Sequence, residues 1–345
     1  MPELAQGRLA PDEPTAARPG PPSLKLAPPR ASWSRSEDVG TAAMIAATWG
    51  LLVVVSALHR GDFLSRQTLL SVTFTMAIVG VLAVGQALVA MSGGILDLSV
   101  QTALILPAWV AVSLLARGVN ILLVILAALA AGGAWGLLNA LIIVFGKLNP
   151  VIVTLGTNFA GAAVLNILFQ SAQTPISSGL AKWGSGTFLA LPNIFWPMVA
   201  IVALAGYFVP RSRAGRHMVA VGGNPQAART RGISLRKTRF SVFVASGILS
   251  GCAALLFAAS NLNFVPNDGS TFLLPTLASV IVAGIALSGG VGNLWMILLS
   301  VGLLSTVPTS FAFFGFSDTW QMVPPGVILV IAVSIDGYRR ARSRR

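Results

Sequence analysis

Charged residues are scarce in this sequence, and long stretches contain none. Asp, Glu, Lys and Arg make up 10% of the 345 residues, whereas an ordinary globular chain contains about 25%. Apolar residues make up 55%, and the charge-free run 148–181 alone exceeds the roughly 20 residues that a helix needs to cross a hydrocarbon core. The regular alternation of a membrane barrel is missing. These features exclude a soluble protein and predict an all-α integral membrane protein.

Cysteine and histidine are nearly absent as well. The single Cys252 excludes a disulfide within the chain and a cysteine-based metal cluster. The two histidines, His59 and His217, have no acid or nucleophile at the spacing of a catalytic triad or a zinc site. A Walker A sequence, G-x-x-x-x-G-K-[ST], does not occur. We therefore expect a chain that is not an enzyme and has no catalytic, metal-binding or cofactor-binding residue.

Acidic residues are outnumbered by basic ones, 10 to 23. Most of the Lys and Arg residues lie in the segments 1–40, 211–239 and 339–345. Such clustering between apolar runs is typical of cytoplasm-facing segments under the positive-inside rule, and it argues against a nucleic-acid partner. We expect both termini in the cytoplasm and contact between the basic segments and membrane lipid.

The charge-free runs predict about ten membrane-spanning helices, some of them interrupted by glycine. The run 269–317 is too long for one span at about 1.5 Å per residue, so "SGGVGN" at 288–293 is expected to form a turn between two spans. The predicted spans are 41–58, 68–91, 100–116, 119–145, 150–170, 193–209, 240–259, 272–287, 293–314 and 320–336.

The same patterns divide the chain into regions. Residues 1–40 hold eight of the twenty prolines and no apolar signal-peptide core, which predicts a disordered cytoplasmic tail. Residues 41–336 form the transmembrane domain, which includes a cytoplasmic loop at 210–239. Residues 337–345 are a basic cytoplasmic C-terminus.

Two segments with a Ser-Gly-Gly sequence lie in different halves of the chain. They are "MSGGILDLS" at 91–99 and "LSGGVGNLW" at 287–295. Transporters often contain repeated halves in which glycine-interrupted helices meet near the solute path. The recurrence fits that pattern, and it also fits chance in a chain with 35 glycines.

Asp97 is a charge between two apolar runs, where a buried carboxylate is costly unless it is paired. It either lines the solute path or caps the helix that follows it, and the two roles are compatible. In "NPVIVTLGTNF", 149–159, polar side chains either contact the solute or form hydrogen bonds between helices. The candidate residues of the translocation path are Gln86, Gly93, Gly94, Asp97, Ser99, Thr157 and Asn158.

The segment 211–240 carries eight Lys and Arg residues and no acid. Within it, "NPQAARTRG" predicts a short surface helix, with Asn224 as the cap, Pro225 in the first position and Gly232 at the end. A basic loop could simply lie against anionic lipid. A small capped helix is better suited to a groove on another protein.

Four ordered segments resemble permeases of the ribose/xylose/galactose type of ABC importer. They are "GGILDLSV", "NPVIVTLGT", "AVGGNPQAARTRGIS" and "LPTLASVIVAGIALSGGVGNLW". The sequence departs from the family pattern at three points. Leu96 adds a residue between Ile95 and Asp97, Gln101 replaces a common glycine, and Val291 replaces a common basic residue.

The resemblance implies a permease subunit in the bacterial inner membrane, with a monosaccharide as solute. It implies a separate cytoplasmic ABC ATPase that binds the ATP, a periplasmic or lipid-anchored binding protein, and a second permease copy. The family's role of contacting the ATPase falls on Gly222, Gly223, Asn224, Ala227, Ala228, Gly232 and Ile233.

Two other functions fit parts of the sequence. An ion-coupled secondary transporter would need ionisable groups within the membrane, and Asp97, Asp268 and Asp318 are the candidates. An ABC permease for a nucleoside or a branched-chain amino acid would share parts of the four motifs.

Overall fold

The computed structural model describes residues 35–93, 95–169, 179–261, 264–321, 323–331 and 334. Gly94, most of the predicted tail and the basic C-terminus 337–345 lie outside these described residues. The first helix begins at Arg35, six residues before the predicted start of the membrane domain at 41.

The described residues are mostly helical, which confirms the predicted all-α class. The helices are α1 (Arg35–His59), α2 (Arg66–Met91), α3 (Val100–Ala116), α4 (Ile121–Gly146), α5 (Pro150–Leu168), α6 (Gly179–Gly184), α7 (Phe195–Arg211), α8 (Arg213–Gly223), α9 (Pro225–Thr230), α10 (Leu235–Ser260), α11 (Leu273–Val282), α12 (Met296–Phe313) and α13 (Asp318–Gln321). Residues 323–331 are also helical. Two 3-10 turns, Gly61–Leu64 and Pro266–Phe272, and one hairpin of β1 (Thr187–Phe188) and β2 (Leu191–Pro192) complete the described elements.

Polar side chains cap the start of several of these helices. The Asn120 side chain accepts a hydrogen bond from the backbone of Leu122, and the Asn149 side chain accepts one from Val151. Pro150 occupies the first turn of α5, where its missing N–H has no cost. These caps satisfy backbone donors of the first turn that have no partner within the helix.

Six of the helices are long and apolar enough to cross a membrane. They are Val39–His59, Arg66–Met91, Ile121–Gly146, Pro150–Leu168, Leu235–Ser260 and Met296–Phe313. A seventh is counted if α7 and α8, which bend by 76° at their junction, form one span. α3 and α11 are apolar but shorter, so the count of about ten spans stays a prediction. The span expected at 272–287 is helical as α11 over Leu273–Val282 and continues as turns.

The core forms around α2, which contacts α7, α10, α11 and α12. In the most apolar 18 residues of α2, 83% of the residues are buried. The corresponding shares are 11% for α1, 28% for α4 and 28% for α5. Since those three helices are just as apolar, their outward faces suit lipid or another chain rather than water.

Glycines bring α4 and α10 into close antiparallel contact. Gly132 and Gly136 face Gly247 and Gly251, so two Gly-x-x-x-Gly sequences pack against each other. A methyl group added at Gly132 would lie 2.8 Å from the Gly251 nitrogen, and one added at Gly247 would lie 2.9 Å from the Gly136 Cα. The two backbones are therefore too close for any larger residue at these points.

Candidate functional site

The segment between α2 and α3 turns back into the helical bundle. Gln86, five residues before the end of α2, is positioned so that its amide oxygen accepts from the Asp97 backbone N–H at 2.9 Å and its amide nitrogen donates to the Asp97 carbonyl at 3.2 Å. Gln86 lies about 7 Å along the helix axis from the end of α2. Asp97, which bonds to it, therefore lies at a similar depth. A polar side chain on α2 thereby supplies the partners that an irregular backbone needs inside a membrane protein.

The Asp97 carboxylate is bonded within its own turn. Its Oδ1 accepts from the Ser99 backbone N–H at 2.8 Å and from the Ser99 hydroxyl at 2.6 Å. Capping of α3 was one of the two roles predicted for Asp97, and the structure does not show it in that form. The carboxylate binds Ser99, the residue that precedes α3, and not the free amides of the first helical turn.

Two residues of α4 hold this turn in place. The Ser99 hydroxyl oxygen accepts from Trp135 Nε1 at 3.1 Å and from Asn139 Nδ2 at 2.9 Å. Asn139 is fully buried, and its other amide atom, Oδ1, accepts from the Thr157 hydroxyl of α5 at 2.7 Å. One amide thus links the turn to α5.

α5 contributes further hydrogen bonds to the same segment. The Thr154 hydroxyl accepts from the Leu98 backbone at 3.0 Å. The Asn158 side chain accepts from the Thr102 backbone at 3.1 Å, and the Thr102 hydroxyl donates to the Asn158 carbonyl at 3.0 Å. These contacts confirm the interhelical hydrogen bonding that the sequence offered as one role for the polar residues of 149–159.

Most of the predicted path residues therefore lie in one hydrogen-bonded cluster. Gln86, Asp97, Ser99, Thr157 and Asn158 belong to it. Gly93 lies apart, where an added methyl group would be 3.3 Å from the Arg239 guanidinium. The residues that sequence reasoning missed are Thr102, Trp135 and Asn139. The sequence contained a signal for Asn139, because it is an amide in the middle of an apolar helix and such a group needs a buried partner.

A cavity of about 240 Å³ lies beside this cluster, between α3, α4 and α5. Its lining is mainly apolar. Its three polar residues, Thr102, Trp135 and Thr157, already donate their hydrogens to Asn158, Ser99 and Asn139. The cavity therefore offers few free donors to a polar solute.

The second candidate region is the predicted surface helix, and its local structure is confirmed. The Asn224 side chain accepts from the Ala227 backbone at 3.0 Å, and Pro225 is the first helical residue of α9. Gly232 has φ +77°, and the Ile233 N–H donates to the Ala228 carbonyl at 3.0 Å. The latter bond and the left-handed glycine form a Schellman motif, which satisfies the last carbonyls of the helix.

The predicted coupling residues divide into two groups by exposure. Asn224 and Gly232 are exposed, and Gly223, Ala227 and Ile233 are half-buried. Ala228 is 3% exposed and Gly222 is buried as well. Those two cannot offer their atoms to a partner, so the expected contact role is corrected for them: they pack against this chain itself.

Exposed cations lie on α9 and on the helices that precede and follow it along the chain. The exposed ones are Arg211, Arg213, Arg216, Arg229, Arg231, Arg236 and Lys237. The segment that carries them contains no acid, so the cations are not neutralised locally by neighbours in sequence. We call this surface of α7, α8, α9 and the start of α10 the basic end. Its field attracts an acidic protein surface or anionic lipid.

Known proteins that are similar in sequence to this chain are permease components of transport systems, which agrees with the membrane-spanning helices described above. The family profile described as "Branched-chain amino acid transport system / permease component" matches residues 68–333. The ribose import permease protein RbsC of Escherichia coli strain K12 is 29% identical over 297 residues, which cover 84% of this chain and 91% of that protein.

Two further relatives are named for the transport of other sugars. The L-arabinose ABC transporter permease protein AraH of Azospirillum brasilense is 26% identical over 94% of this chain and 95% of that protein. The galactose/methyl galactoside import permease protein MglC of Escherichia coli strain K12 is 29% identical over 65% of this chain and 69% of that protein. The chain therefore belongs to this family of transport-system permease components, and its resemblance to the permeases of monosaccharide ABC importers is confirmed.

Proposed function

We propose that this chain is the membrane-spanning permease subunit of an ATP-driven importer, and that its solute is a monosaccharide. The names of the relatives, which mention ribose, arabinose and galactose, support the solute class. The observation that carries the mechanism is α9, a capped and exposed helix at the basic end, which has the form of an element that fits into a groove on a partner.

The complete transporter would contain a separate cytoplasmic ABC ATPase, which binds and hydrolyses ATP, and a periplasmic or lipid-anchored protein that delivers the sugar. Two copies of this chain would enclose the pathway in the bacterial inner membrane. With about ten spans, both termini lie in the cytoplasm, and the basic end faces the ATPase. The location of the cations supports this orientation.

Coupling then follows from the two groups of residues in the α9 region. The exposed Asn224, Gln226 and Gly232 contact the ATPase, and the exposed arginines complement its acidic surface. The buried Gly222 and Ala228 transmit displacement of α9 to this chain's own helices. Closure of the ATPase pair around ATP would therefore move membrane helices and switch the side to which the path opens.

The solute and the energy source are tested by uptake in the native cells. Cells that lack this chain, and the same cells complemented with it, are given labelled ribose, arabinose, galactose or leucine. We expect complementation to restore uptake of one sugar, and depletion of ATP to abolish it while a protonophore has little effect when ATP is maintained. Restored leucine uptake would identify an amino-acid permease, and loss with the protonophore alone would identify an ion-coupled transporter.

The contact with the ATPase is tested by reversing charge at the basic end. The double variant Arg229→Glu, Arg231→Glu should reduce uptake about tenfold or more, because like charges would then face each other across the interface. The double variant Arg66→Glu, Arg117→Glu, which reverses two exposed cations outside the basic end, is the matched control. Equal uptake by the two variants, at equal amounts of inserted protein, would contradict the contact.

A further inference from the structure

Three distant segments of the chain meet backbone to backbone beside the basic end. The Gly290 N–H donates to the Met91 carbonyl at 2.8 Å. Gly222 packs against both residues: a methyl group there would lie 2.5 Å from the Gly290 nitrogen and would overlap the Met91 oxygen. A methyl group at Gly290 would lie 2.5 Å from the Gly223 Cα. We call this contact of Met91, Gly222 and Gly290 the glycine junction.

Each member of the glycine junction belongs to a different functional segment. Met91 ends α2 and is the first residue of the first Ser-Gly-Gly segment, 91–99. Gly290 is the second glycine of the tripeptide in the second segment, 287–295, and its φ of +78° is a conformation that favours glycine. Gly222 lies two residues before Asn224, the cap of α9. The predicted coupling helix is therefore joined directly to both glycine-rich interruptions.

The contact is made by backbone atoms of Met91, Gly222 and Gly290, so no flexible side chain at the contact can adjust to a relative movement. Packed backbone atoms respond to displacement by moving together or by separating, because packed interiors have discrete arrangements and deform little. From Met91 the chain enters the hydrogen-bonded turn at Asp97. Gly290 lies in the loop between α11 and α12. A 3.0 Å hydrogen bond from the Ala286 N–H to the Val291 carbonyl closes this loop.

We propose that Gly222 and Gly290 are positioning residues that make α8–α9 and the two Ser-Gly-Gly segments one mechanical unit. A displacement of α9 is then delivered to α2, α3, α11 and α12 at once. The identity of the driving partner rests on the proposed function, whereas the unit itself is a property of this chain.

Hydrogen exchange of the purified full chain in lipid nanodiscs tests the unit without any ATPase. The variant is Gly222→Ala and the matched control is Gly223→Ala. Both change a glycine at the end of the same helix, but a methyl group at Gly223 meets nothing closer than 4.0 Å. We expect about tenfold faster exchange in segments 88–93 and 286–293 of Gly222→Ala, and native rates in Gly223→Ala. Native rates in both variants, or a change confined to α8–α9, would overturn the proposal.

A measurement on the native chain applies even if Gly222→Ala does not insert. If the three segments open together, the Gly290, Ser92 and Asn224 amides should exchange with one common opening free energy and one common dependence on denaturant. Separate opening free energies would overturn the unit. Uptake in cells then separates this inference from the proposed function. Slower uptake with Gly222→Ala than with Gly223→Ala supports delivery through the junction, and equal uptake alongside altered exchange refutes it.

Discussion

The two Ser-Gly-Gly segments share a tripeptide and are held in different ways. Side chains hold the first: Gln86, Asn139 and Thr154 come from three helices to satisfy its backbone and its serine. Backbone bonds hold the second, since Gly289 donates to Ala286 and Ala286 donates to Val291. Their conformations differ too, with φ +157° at Gly93 and +82° at Gly289.

This difference shows what a short sequence repeat can and cannot indicate. Both segments interrupt the apolar pattern, and both reach the glycine junction through Met91 and Gly290. The first segment, however, enters the bundle and needs polar partners there, whereas the second closes on itself as a turn. We therefore expect side-chain substitutions to weaken the first segment and glycine substitutions to weaken the second.

The largest effect is expected from Asn139→Ala. The change removes one of the donors to the Ser99 hydroxyl and one of the two acceptors of the Thr157 hydroxyl, both beside the fully buried position 139. It should lower the free energy of unfolding by about 1–2 kcal/mol, measured in detergent micelles. Asn166→Ala is the control, because the exposed Asn166 side chain bonds the Ala162 carbonyl of its own helix. Equal stability of the two variants would show that side chains do not hold the first segment.

A smaller effect is expected from Gly289→Ala in the second segment. An alanine at φ +82° is in the left-handed region, which costs an L-residue about 1 kcal/mol. Gly156→Ala is the control, because Gly156 lies in α5 with open space around its Cα. Thermal unfolding of the two variants should give a lower midpoint for Gly289→Ala only. A shared midpoint would mean that the turn does not depend on glycine.

The smallest effect on stability is expected from Asp97→Asn. The amide oxygen can still accept from the Ser99 backbone and hydroxyl, so the loss should be about 0.5 kcal/mol or less. Uptake decides the role of the charge. Unchanged uptake fits a carboxylate that only forms the turn, whereas lost uptake at native stability would place the negative charge on the solute path.

Local rules predicted the α9 region well. Asn224, Pro225 and Gly232 begin and end that helix in the structure as they do in the sequence pattern, because capping depends on residues within one turn. The turn at 288–293 was predicted for the same reason. Ala228 was misjudged as a contact residue, since a helix of six residues does not reveal from sequence which side packs inward.

Long-range contacts were not accessible from the sequence. The glycine junction joins Met91, Gly222 and Gly290 through backbone atoms, and glycine carries no side chain whose chemistry could indicate a partner. Asp97 was correctly singled out as unusual, but its partner Ser99 is two residues away and its supports, Trp135 and Asn139, come from α4. Only the packing of α3 against α4 shows which polar residues meet.

The glycine-lined contact of α4 with α10 limits how the protein can change shape. Helices whose main chains touch cannot slide past each other by a residue without collision, so we expect α4 and α10 to move together as one rigid pair. α10 starts at Leu235, directly after the segment that holds α9, and Gly85 of α2 lies against Ser246 of the same helix. If the proposed partner displaces the basic end, we expect α10 to tilt together with α4 and to displace α2, which packs against α10.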